Sequence, residues 1–60
     1  MKKLFKLYAW RMINGSKVTV DTVSVYDSSS ANLKSNYRTF LVIIGKDFDG
    51  IDIVHYGIQQ

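Results

Sequence analysis

The hydrophobic pattern changes period along the chain, and the elements follow from those changes. Residues 4–13 and 17–26 alternate apolar and polar side chains on either side of Asn14-Gly15. A period of two marks a half-buried strand. Asn-Gly supplies the two positive φ angles of a type I′ turn, so the segments are expected to form a β-hairpin. A two-residue turn fixes the register: Ile13 faces Ser16, Arg11 faces Val18, Ala9 faces Val20 and Leu7 faces Thr22. One hairpin face then holds Phe5, Leu7, Ala9, Val18 and Val20 and reads as core. The other holds Lys6, Tyr8, Trp10, Met12, Lys17, Thr19 and Asp21. Val23 and Val25 have the wrong parity for the first face, and a bulge near Asp21-Thr22 would return them to it.

Between residues 28 and 44 the period changes. Leu33, Tyr37, Phe40, Leu41 and Ile44 recur at helical spacing and define one face. Asp27 and Ser28 to Ser30 offer N-caps, and Gly45 stands where a glycine C-cap belongs. A helix over about 29–44 is expected. The competing signal is strand propensity in residues 39–44, Thr-Phe-Leu-Val-Ile-Ile. Residues 45–50 read as a loop, and residues 51–58 as a strand.

The expected fold is therefore α+β: one domain over residues 1–60, in the order ββαβ. It has a three-stranded antiparallel sheet of order 2-1-3, with one helix on one face. The alternative is all-β, with four short antiparallel strands from two hairpins.

Composition narrows the function. The chain has 60 residues, which allows one domain and no separate cofactor domain. It has no cysteine, so disulfides, zinc-thiolate sites and thiol nucleophiles are excluded. A reducing, cytoplasmic setting is expected. The start, Met1-Lys2-Lys3-Leu4-Phe5, begins like a signal peptide, but Lys6 and Arg11 interrupt the apolar run. No segment is long enough for a membrane span. Net charge is +3, with Lys2, Lys3, Lys6 and Arg11 near the start and Asp47, Asp49 and Asp52 late. This mild polarity suits an anionic partner without demanding one.

Candidate chemistry is sparse. Asp47-Phe48-Asp49-Gly50 lacks the ligand count of a calcium loop and reads as turn chemistry. His55 has no partner at triad spacing. No catalytic residue, cofactor or metal is expected, and the chain is read as non-enzymatic. The remaining signal is the second hairpin face. Tyr8 and Trp10 are its candidate anchors, Met12 an adaptable filler, and Lys6, Arg11 and Lys17 a polar rim. A protein partner is the leading expectation. Nucleic acid stacked on the same aromatics is the alternative, and a homodimer is a third. The ββαβ layout is shared, as a plan only, with many short reading frames of phages and mobile elements. That analogy suggests an inhibitor or modulator of a host protein.

Overall fold

A computed structural model describes residues 2–58 of the chain; Met1, Gln59 and Gln60 lie outside it. Its elements are β1 (Lys3–Ile13), β2 (Ser16–Asp27), α1 (Leu33–Ile43) and β3 (Gly50–Ile58), in the expected ββαβ order. The sheet is antiparallel with order β2-β1-β3. The all-β alternative is excluded by α1.

The hairpin turns on Asn14 and Gly15, whose φ angles of 51° and 80° are both positive, as a type I′ turn requires. Ile13 pairs with Ser16 and Arg11 with Val18. The expected pairs Ala9–Val20 and Leu7–Thr22 are replaced by Ala9–Asp21 and Leu7–Val23. Trp10 faces Thr19, so Val20 is the extra residue of a bulge one position earlier than expected. The bulge sets Val23 and Val25 opposite Leu7 and Phe5. It also carries Asp21 to the helix side, away from the face on which simple alternation had placed it. There Asp21 accepts a 2.5 Å hydrogen bond from the Tyr37 hydroxyl. Burial first, and this bond second, push the Tyr37 phenol above its ordinary pKa.

The helix begins at Leu33, later than the expected residue 29. The polar residues before it serve local turns instead of a helical cap. Asp27 Oδ1 accepts from the Ser29 N–H at 3.3 Å, and Ser29 Oγ accepts from the Ala31 N–H at 3.1 Å. Such bonds offer the backbone an alternative to helix. Asn32 occupies the N-cap position without a side-chain cap bond. The other end closes as expected. Gly45 has φ 76°, its N–H reaches the Val42 carbonyl, and the Lys46 N–H reaches the Leu41 carbonyl. That is a Schellman motif capped at Ile44, and residues 39–43 are helix against their strand propensity.

The core is small. Phe5, Leu7 and Ala9 of β1 meet Leu33, Tyr37 and Leu41 of α1 and Ile51 of β3. Phe48 packs against it from the loop, with the Arg38 guanidinium 5.4 Å from its ring centroid. The expected helix face is narrower than its spacing suggested, because Phe40 and Ile44 are both about half exposed, at 52%. The helix lies over β1 and β3, so the side chains flanking its inward stripe find no layer beneath them. Val18 is exposed as well, since it sits toward the hairpin tip, past the seven residues that form the core.

Leu41 is fully buried. Leu41→Ala should cost about 3 kcal/mol, a large part of the margin of a small domain. Urea denaturation followed by circular dichroism checks this.

Candidate functional site

Helix-side positions of β1 are odd-numbered, so Leu4, Lys6, Tyr8, Trp10 and Met12 point to the opposite face. No element of the described residues lies over that face. β3 contributes Asp52 opposite Tyr8, Val54 opposite Lys6 and Gly50 opposite Trp10. β2 contributes Lys17 opposite Met12 and Tyr26 opposite Leu4.

Trp10 is the most constrained residue of the group. Its ring lies across Gly50, where an added Cβ would stand 2.7 Å from the indole Cε2. The Lys17 ammonium sits 4.6 Å from the ring centroid, a cation–π geometry. The same ammonium donates to Asp52 Oδ2 at 2.5 Å. A lysine from β2 thus reaches across β1 to an aspartate on β3, with the indole beneath it. The Lys17 bond is the main reason the Asp52 carboxyl is held below its ordinary pKa; desolvation opposes it, and the Lys17 charge, Trp10 and Lys34 add smaller lowering effects. The indole N–H contributes through proximity, yet it is buried without a hydrogen bond of ordinary geometry among the described residues. Asp49 closes this corner. Its N–H donates to the Trp10 carbonyl at 2.7 Å, and its carboxylate accepts from the Met12 N–H at 2.7 Å. The loop aspartate therefore extends the β1–β3 ladder beyond Gly50.

The sequence-predicted site residues separate into two groups. Lys6, Tyr8, Trp10, Met12 and Lys17 share the uncovered face, with the Lys6 ammonium 5.6 Å from the Tyr8 ring centroid. Arg11 does not join them. Its odd position turns it to the helix side, near the hairpin tip, where it is exposed. Trp10 is half-buried and held by its neighbours, whereas Met12 is 51% exposed.

Sequence reasoning passed over Tyr56, Val54 and Tyr26. The Tyr56 hydroxyl lies 3.1 Å from that of Tyr8. This bond, more than desolvation, raises the Tyr8 phenol above its ordinary pKa. Tyr56 is 53% exposed, Val54 is exposed on the same strand, and Tyr26 is exposed on β2 across the central strand. The even-numbered positions of a strand adjacent to β1 were the available signal. His55 points the other way and stacks on Phe5 at 5.0 Å. Among the described residues there is no cluster of potential metal ligands, and no helix is long and apolar enough to cross a membrane.

Comparison of the chain with protein families, curated proteins and solved structures finds no match. The face is therefore read from its own geometry.

Two outcomes follow from the Trp10 corner. Gly50→Ala should destabilise the fold and shift Trp10 fluorescence, because the indole must leave its seat. The lowered Asp52 pKa sets the sign of a pH effect. The Lys17–Asp52 contribution is complete above the unfolded carboxyl range and is lost as pH falls through the lower folded value. Trp10 fluorescence should therefore change on acidification from about pH 4 downward. The change should be absent in Asp52→Asn.

Proposed function

We propose that this protein is a non-enzymatic binding module whose uncovered sheet face docks on a protein partner. The observation that carries the reading is the uncovered group of Tyr8, Val54 and Tyr56, with Met12 exposed on the same face beyond Trp10. Its members beyond Tyr8 are 40–53% exposed. Contiguous apolar surface of this kind marks contact sites, and Tyr and Met are types enriched in interface cores. Tyr56 and Met12 are the proposed contacts. Trp10 supports them from below by holding β1 and β3 together.

The electrostatics favour protein over nucleic acid. Phosphate binding depends on cations free to release counterions. Lys17 is already paired with Asp52, and its ammonium covers the Trp10 ring that a base would need. Lys6 remains at the margin as a steering charge. The mechanism is steric: the exposed sheet face blocks or bridges a partner's surface. A phage or mobile-element modulator of a host protein is one form of that role. The cysteine-free composition suits a reducing compartment such as the cytoplasm.

The test is a tagged pull-down from source lysate at moderate salt, with and without nuclease. The wild type is compared with a Met12→Ser/Tyr56→Ser double variant whose circular dichroism is unchanged. One protein captured by the wild type, retained after nuclease and lost in the variant is the expected result. Loss of all capture on nuclease treatment would transfer the face to nucleic acid. A self-associating chain with no other partner would make it a dimer interface.

A further inference from the structure

The helix side of β2 carries a second surface, separate from the Tyr8–Tyr56 face. A groove of about 590 Å³ runs between β2 and α1. Val23 and Val25 form its strand wall, and Leu33, Tyr37 and Phe40 its helix wall. β2 is also an edge strand, bonded to β1 alone among the described strands. Successive residues of an antiparallel strand direct their N–H and C=O groups alternately to either side. Half of the backbone groups in residues 21–27 therefore point out of the sheet beside the groove. That is the geometry of strand addition, in which the edge bonds the incoming backbone and the groove receives alternate side chains.

Charge specifies the incoming strand. Beyond the bulge, Asp21, Val23, Val25 and Asp27 share the helix side, in the order acid, apolar, apolar, acid. Both aspartates line the groove, Asp21 with Oδ2 already bonded by the Tyr37 hydroxyl and Oδ1 left for a cation, and no basic residue does so among the described residues. On its inner side β2 already meets a strand complementary at three of these four positions, with Ala9 opposite Asp21. Lys3 stands opposite Asp27, Phe5 opposite Val25 and Leu7 opposite Val23. The outer side offers the same four positions with nothing opposite them.

We propose that β2 takes up an extended basic peptide as a fourth strand. The peptide spans the seven residues opposite Asp21 to Asp27, about 20 Å of strand. It carries Lys or Arg at its two ends, facing the aspartates, and apolar residues at its third and fifth positions, facing the valines. A second copy of β2 is a poor occupant. Antiparallel self-pairing that sets Val23 against Val25 also sets Asp21 against Asp27, and like charges directly opposite destabilise a sheet.

The probe is the capped synthetic peptide KTVTVTR, titrated into the full-length ¹⁵N-labelled protein and followed by NMR. Saturable shifts are expected in residues 21–27 and at Leu33, Tyr37 and Phe40, with Met12 and Tyr56 unmoved. Replacing the terminal Lys and Arg of the peptide by Glu should weaken binding by about tenfold or more. Asp27→Lys, which leaves one acid and one base at the two ends, should abolish that preference, and the peptide exchange alone decides the matter if this variant does not fold. Three results overturn the proposal: no saturable shift at millimolar peptide, equal binding of the Glu peptide, or shifts confined to the Tyr8–Tyr56 face. Shifts in residues 21–27 on raising protein concentration without peptide would also overturn it, by assigning the edge to a second copy.

Discussion

A short helix covering long strands is the constraint from which the rest of the structure follows. α1 has 11 residues, and at 1.5 Å per residue it spans about 16 Å. β1 also has 11 residues, but at 3.3 Å per residue it spans about 36 Å. One such helix cannot roof three strands. It lies where Leu33, Tyr37 and Leu41 meet Phe5, Leu7 and Ala9, and the core stops there. The exposed Val18 and the groove along β2 are consequences of that mismatch, and with a single helix the opposite face of the sheet stays bare. An ordinary apolar composition thus yields a molecule with much of its apolar surface outside.

With so little core, polar contacts outside it carry part of the work of joining elements. Lys17 spans from β2 to Asp52 on β3 over the Trp10 ring. Asp49 joins the loop to the backbone of β1, and Tyr37 reaches Asp21 across the groove. Exposed ion pairs contribute little singly. Here the pair, half exposed on both sides, is set over an indole that itself fills the space above Gly50.

The fold was legible because its strongest signals are local. Asn14-Gly15 dictates its turn by backbone sterics, and Gly45 dictates the helix end in the same way. The bulge was legible from parity: the valines of β2 could reach Leu7 and Phe5 only with an extra residue. Its placement at Val20 was not, because several positions satisfy the same parity. The helix start was misplaced because Asp27 and the serines are equally good at capping helices and at closing short turns. For the candidate face, alternation grouped Tyr8, Trp10 and Met12 correctly. It could not show that Trp10 would be spent on Gly50, since that depends on the alignment of β1 with a strand forty positions later. Tyr56 was missed for the same reason, and Arg11 was attached to the wrong face by its charge rather than its parity.

The β2-β1-β3 order carries a consequence for how the sheet comes together. The hairpin closes across two residues, whereas Trp10 meets Gly50 only after a loop of about forty residues is drawn in. By chain-closure entropy the second step costs about 2–3 kcal/mol more than the first. Pairing of β1 with β2 is therefore favoured to precede docking of β3. In the interval the central strand has one side unbonded and Trp10 has no glycine to rest on. The seating of the indole on Gly50 then reports the docking of β3, and the protein's single tryptophan is placed to signal it.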